Sequence, residues 1–223
     1  MAELLPGKFI VLDGPEGSGK STQVERLVEW LRESGRQATA VRDPGSTPVS
    51  ERIREVLLDS RLPEMDVRTE VFLYMASRAE MMARIVRPAL EVGLIVVGDR
   101  FVSSTMAYQG VAGGMGAEVI ENLGRIACGG IEPDLTVILD LDVRAGFQRI
   151  EGRKRKVQWD PQLALPFLRD RVESKGLEYH EKVREGFLRL ARARPDRFAV
   201  VNASRPVDDV ARAIQEAVTR VLG

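Results

Sequence analysis

Apolar and polar positions along this chain follow two different periods. Five short runs, Phe9–Leu12, Ala38–Val41, Leu94–Val97, Leu135–Leu141 and Phe198–Val201, are rich in apolar and β-favouring residues and predict strands. Between them the apolar residues recur at helical spacing. Val24, Leu27, Val28 and Leu31 predict a helix closed by Gly35, and Val119, Ile120, Leu123 and Ile126 predict another. Val210, Ile214, Ala217, Val218 and Val221 predict a C-terminal helix entered at Pro206. The stretch Glu70–Val92 carries Phe72, Met75, Ala76, Ala79 and Ala83 on one stripe, with Pro88 expected to kink the helix or start a second one. Strands alternating with helices predict the α/β class, a parallel sheet covered on both faces. In such sheets ligands bind beyond the carboxyl ends of the strands, so the residues just after each strand are the ones to read for chemistry.

Arg149 to Asp170 breaks the pattern: Arg149, Arg153, Lys154, Arg155 and Lys156 precede Trp159, Asp160, Pro161 and Pro166. A cationic run without an amphipathic period is either a solvated loop or a flap over phosphates, and the flap is the preferred reading here. The expected organisation is one domain over 1–223 with this lid segment at about 149–170.

Composition narrows the classes. Lys and Arg number 33 against 33 Asp and Glu, so no global field points to a nucleic acid or a membrane partner. The single Cys128 cannot form an internal disulfide, and the single His180 leaves no zinc site. No signal-peptide pattern and no membrane-length apolar run is seen, so a cytoplasmic enzyme is expected.

The strongest signal is Gly14-Pro15-Glu16-Gly17-Ser18-Gly19-Lys20-Ser21, a match to G-x-x-x-x-G-K-[ST] set between a predicted strand and a predicted helix. Glycines let backbone N–H groups turn around a polyphosphate, and the new helix aims its positive end at the same place. Lys20 can reach the β- and γ-phosphates and the Ser21 hydroxyl can ligate Mg²⁺. After the third strand, Asp99 stands where a magnesium-positioning carboxylate is needed, and Arg100 supplies a planar fork for phosphate. After the second, Arg42-Asp43-Pro44-Gly45-Ser46-Thr47 is a turn and a candidate wall for an acceptor. Tyr74 and Arg78 stand four apart on one helix face, either as core tyrosine and snorkelling arginine or as a stacking surface and a donor for a base.

Taken together these residues resemble the bacterial thymidylate kinases over nearly the whole chain. The similarity runs through Phe9–Gln23, the Arg42–Thr47 turn, Asp99-Arg100-Phe101, Ser104–Gly110, Pro133–Thr136, Asp170-Arg171-Val172-Glu173 and Asn202-Ala203-Ser204. The resemblance implies a three-layer P-loop kinase fold with strand order 2-3-1-4-5, a homodimer, and transfer of the γ-phosphoryl group of Mg·ATP to dTMP. It implies that Gly14, Glu16, Gly17, Ser18, Gly19, Lys20, Ser21, Thr22, Arg149 and Ala203 contact the nucleotide donor. Tyr74 would stack on thymine, Arg78 would donate to its 4-oxo edge, and Thr105 would lie near N3. Tyr108 would crowd the sugar 2′ position. Asp43, Pro44, Gln109, Asp170 and Glu173 would border the acceptor as well, with Glu16 at its phosphate and sugar. Lys20, Asp99, Arg100 and a lid arginine would be catalytic, and Ser21 and Asp99 would serve the metal. Because position 17 is Gly17, that arginine must come from the lid, where Arg153 matches best and Arg149 second.

The chain departs from the family at several points. Asp43 and Ser46 replace a glutamate and a glycine, Tyr74 stands where phenylalanine is commoner, and Asn202 replaces an aspartate. The lid between Arg153 and Asp170 is longer than usual, which leaves Arg155 a rival for the role of Arg153. Other base preferences, a P-loop switch and a non-catalytic nucleotide binder are the competing functions. A switch would not need an acceptor site, and the guanine motif Asn-Lys-x-Asp is absent.

Overall fold

A computed structural model describes residues 7–62, 64–157, 171–173 and 175–223, with side chains described at all of these except 153–157. In chain order the elements are β1 (Lys8–Asp13), α1 (Lys20–Glu33), β2 (Ala38–Arg42), α2 (Pro48–Leu58), α3 (Val67–Met81), α4 (Arg87–Glu91), β3 (Ile95–Asp99) and α5 (Val102–Thr105). They continue with α6 (Ala117–Ala127), β4 (Leu135–Asp140), α7 (Val143–Val157), α8 (Leu177–Ala193), β5 (Phe198–Asn202) and α9 (Val207–Leu222). The five strands form one parallel sheet in the order β2-β3-β1-β4-β5, as expected.

The two-residue period of β1 explains the layers. Ile10 and Leu12 point to one face, where Val24, Leu27 and Leu31 of α1 and Val210, Ile214 and Val218 of α9 cover them. Phe9 and Val11 point to the other face, against Met81, Met82, Val86 and Phe101. Both faces of the three central strands are buried, which is why β1, β3 and β4 read as continuous apolar runs, whereas the edge strands β2 and β5 are partly exposed. Each fully buried leucine here contributes about 2 kcal/mol by leaving water.

Pro88 acts as a helix start: it sits in the first turn of α4, directly after a π-helical turn over Met82–Val86 whose last bond runs from Arg87 N to Met82 O. A proline has no N–H to continue an α ladder, and the wider turn absorbs the break. A second π turn, Met106–Ala112, follows α5 and carries Tyr108 and Gln109.

Two predicted stripes are corrected. On α3 the inward face is Val71, Met75, Arg78 and Met81, whereas Phe72 is 61% exposed and Ala76 and Ala83 lie outside. That helix buries polar groups (Glu70, Ser77, Arg78) for the site, so apolarity alone selects the wrong side. On α6, Ile120 is sealed but Val119 is 46% and Ile126 80% exposed. The cationic run beginning at Arg149 starts as helix, since α7 continues to Val157.

Candidate active site

The loop from Gly14 to Ser21 leaves the end of β1 at the middle of the sheet and enters α1. Gly17 has φ +73°, and a Cβ there would lie 2.3 Å from Gly146 O, so only glycine lets α7 pack this close. No side chain caps α1, so its first-turn N–H groups stay available to an anion. Lys20 Nζ bends back to donate to Pro15 O at 2.9 Å and Gly14 O at 3.1 Å. Burial, then the neighbouring Arg100, lowers its pKa to about 8 in spite of Glu16 and Asp99. Ser21 Oγ donates to Asp99 Oδ2 at 2.7 Å. Asp99 ends β3 in register with Leu12, so strand pairing alone delivers it to the phosphate loop.

A hydroxyl and one carboxylate are hard oxygen donors, and among the described residues no group of three or more His, Cys, Asp or Glu side chains gathers to hold a metal. Such a set suits Mg²⁺, which takes one or two protein oxygens and fills its shell with phosphates and water.

Arg100 occupies the left-handed region at φ +72°, an uncommon conformation for a residue with a side chain. Its guanidinium donates to Glu16 Oε1 at 2.6 Å and Ser104 Oγ at 3.0 Å and lies over the Tyr108 ring. Tyr108 also donates its hydroxyl to Glu16 Oε1, at 2.9 Å. Burial pushes the Glu16 carboxyl up, but Arg100 and Lys20 outweigh it and hold the pKa at about 2. Beneath them, fully buried Asp13 accepts from Ser103, Ser104 and Gly14 N, and desolvation raises its pKa against those bonds.

A cavity of about 1240 Å³ extends from this centre to a second end, where Asp43, Pro44, Tyr74, Arg78, Thr105, Gln109 and Glu173, the residues expected to meet an acceptor, line it. Arg78 is 1% exposed: Nε donates to Asp43 Oδ2 at 2.5 Å and Nη2 to Thr105 Oγ1 at 3.0 Å. A snorkelling arginine would not be sealed this way; the side chain is built into the wall. Gln109 is held by Glu70, its Nε2 lying 2.8 Å from Glu70 Oε2. Thr22 lines the cavity at the loop end.

On the α7 side of the loop Arg149 donates to Ala203 O at 3.0 Å and Gly17 O at 3.5 Å, so three residues far apart in sequence meet there. Arg149 and Ala203 are not among the residues lining the large cavity, nor are Gly14 and Ser18, both of which are buried. The Arg153 side chain and Asp170 lie outside what the structure describes.

Two residues at the site, Arg54 and Glu70, escaped the sequence reading, and Arg171 entered it only inside the Asp170-Arg171-Val172-Glu173 motif, with no role of its own. Arg54 of α2 lines the cavity beside Asp43 and Pro44 and donates to Pro44 O at 2.9 Å, and burial, with Arg42 second, lowers its pKa. Glu70 and Arg171 form a buried ion pair beside Gln109. An arginine on an amphipathic helix is commonplace, and nothing local marks Arg54 or Glu70.

A family profile described as thymidylate kinase matches residues 12–214. The Symbiobacterium thermophilum thymidylate kinase is 43% identical over 214 residues, 96% of this chain and 94% of that protein. The Desulfovibrio desulfuricans enzyme is 39% identical over 214 residues, 96% of each chain. A crystal structure of thymidylate kinase from Ehrlichia chaffeensis superposes with a TM-score of 0.74 at 27% identity, covering 96% of this chain and 99% of that one. With the phosphate loop and the strand order in place, the chain belongs to the thymidylate kinase family.

Proposed function

We propose that this protein transfers the γ-phosphoryl group of Mg·ATP to dTMP, giving dTDP and ADP. One observation carries the reading: a single cavity holds a phosphate-loop lysine at one end and a sealed, donor-only guanidinium beside Tyr74 at the other. Arg78 can only donate, which suits a 4-oxo pyrimidine and disfavours a 4-amino one.

In this reading Lys20 and the amides of the loop carry the donor phosphates, while Arg100 and Arg54 carry the acceptor phosphate. An acceptor phosphate oxygen forms a bond to the γ-phosphorus as the bond to the β–γ bridging oxygen breaks, and ADP leaves. The protein supplies alignment and positive charge, with no dedicated base. Mg²⁺, when bound, neutralises charge on the donor phosphates, and Ser21 and Asp99 would hold it. Arg100 and Glu16 are engaged with each other in the free protein, so an acceptor phosphate meets an arginine already oriented. Arg153 lies one helical turn beyond Arg149 on α7 and is assigned the charge-stabilising role. Arg149 and the loop at Ala203 would flank the adenine. Asp170 is assigned to the acceptor with Glu173, by resemblance alone.

The working unit is taken to be a homodimer. The adjacent helices α3 and α6 leave Phe72, Val119 and Ile126 exposed, an apolar surface of the kind a second copy covers. A cytoplasmic location is the accompanying expectation; no helix among the described residues is long and apolar enough to cross a membrane.

The test is ADP release measured across dTMP, dUMP, CMP, GMP and AMP with magnesium and ATP. dTMP should give the highest kcat/KM. Equal or better turnover of CMP, GMP or AMP would discard the assignment, and no turnover of any acceptor would leave a nucleotide-binding protein.

A further inference from the structure

Glu70 touches neither phosphate centre, yet it is 1% exposed and both of its carboxylate oxygens are engaged. Oε1 takes the short ion pair from Arg171 Nη1, with Lys175 Nζ 3.8 Å away, and Oε2 takes the amide of Gln109 at 2.8 Å. Arg171 is itself tied to Leu57 O, so the carboxylate is held between α2, α3 and the segment leading into α8.

The consequence is a matter of hydrogen-bond polarity. A carboxylate only accepts, so the group that Gln109 turns towards Glu70 must be its NH₂. The carbonyl oxygen of the same amide is thereby directed the other way. Among the described residues it receives no hydrogen bond, yet it is not one of the sealed unpartnered atoms, and Gln109 lines the acceptor cavity. The wall therefore offers a fixed acceptor at Gln109 and a fixed donor at Arg78. A base with an N3–H beside a 4-oxo group complements that pair; a base with an unprotonated N3 beside a 4-amino group meets like against like. We infer that Glu70 is a specificity-determining positioning residue: by fixing the amide of Gln109, it makes the acceptor wall select N3–H, 4-oxo pyrimidines. The inference rests on the kinase reading above.

The experiment compares kcat/KM for dTMP and dCMP in the unmodified protein and in Glu70→Gln. A neutral amide at 70 can donate as well as accept, so the amide of 109 loses its imposed orientation. The ratio of dTMP to dCMP should fall by ~10-fold or more, the scale on which an unpaired site group penalises a base, with the ATP KM unchanged. A merely structural role would lower Tm and slow both acceptors alike, leaving the ratio where it was, and that result overturns the proposal. If Glu70→Gln does not fold because Arg171 loses its partner, Glu70→Gln/Arg171→Met removes the stranded charge and carries the same comparison. Absence of dTMP turnover in the unmodified protein would sink the kinase reading and this one with it. Normal turnover with an unmoved ratio sinks this one alone.

Discussion

Arg78 and Asp43, thirty-five positions apart, form an ion pair 2.5 Å across in which both side chains are shut off from solvent. Burial raises the Asp43 pKa, and only the Arg78 guanidinium opposes it strongly. Asp43 thus stands behind Arg78, the arginine proposed to face the base, as its anchor. A buried pair broken on one side leaves an uncompensated charge, which costs about 3–5 kcal/mol.

Asp43→Asn should therefore lower stability by about 3 kcal/mol and raise the dTMP KM more than the ATP KM. Denaturant unfolding and a two-substrate kinetic matrix check it. An unchanged midpoint would mean that Arg78 does not depend on this partner.

Lys20→Met should abolish turnover without lowering Tm. The folded protein holds the Lys20 proton less well than the unfolded chain, with a pKa lowered to about 8 from 10.5. In that direction the unfolded state binds more protons, so stability rises with pH between about 8 and the unfolded value, and below 8 the charge is a cost. Removing it relieves that cost near neutrality. By the same shift, ATP affinity of the free enzyme should weaken as pH rises past about 8; thermal melts and calorimetric titration read both effects.

Arg100→Ala should chiefly impair use of the acceptor, seen as a raised dTMP KM. Arg153→Ala should cost kcat by ~10³-fold, the scale of an arginine that stabilises a transferring phosphoryl group. A normal kcat there with a loss in Arg155→Ala would move that role along the helix.

Ser46 sits at φ +75°, where the family's glycine would be unstrained, but its Oγ accepts from Arg42 N at 2.7 Å. Ser46→Ala keeps the strain and loses the bond, and should cost about 1 kcal/mol. Ser46→Gly loses the bond and relieves a strain of about 1–2 kcal/mol, so it should leave stability within about 1 kcal/mol of the original. Paired unfolding curves distinguish the two substitutions.

Much of the fold was legible in one dimension because its causes are local. A two-residue apolar period, a glycine loop and a following helical period specify β1, the phosphate loop and α1 within twenty-odd residues, and the same alternation repeats along the chain. Asp99 and Arg100 were readable because a strand's end is a defined place in a parallel sheet. The acceptor wall was legible only in part. Phe72 belongs to the apolar stripe of α3 and yet faces outward, because the inward face is taken by Glu70 and Arg78.

The order of residues thus determined by itself the phosphate loop proposed to hold the donor, since adjacent amides and one lysine make it. Only the tertiary structure decided the polarity of the cavity wall proposed to face the base. Arg54, Asp43 behind Arg78, and Glu70 between Arg171 and Gln109 are brought together by chain closure over long separations. A buried charge is tolerated only where a distant partner arrives to meet it, and no local pattern announces that arrival.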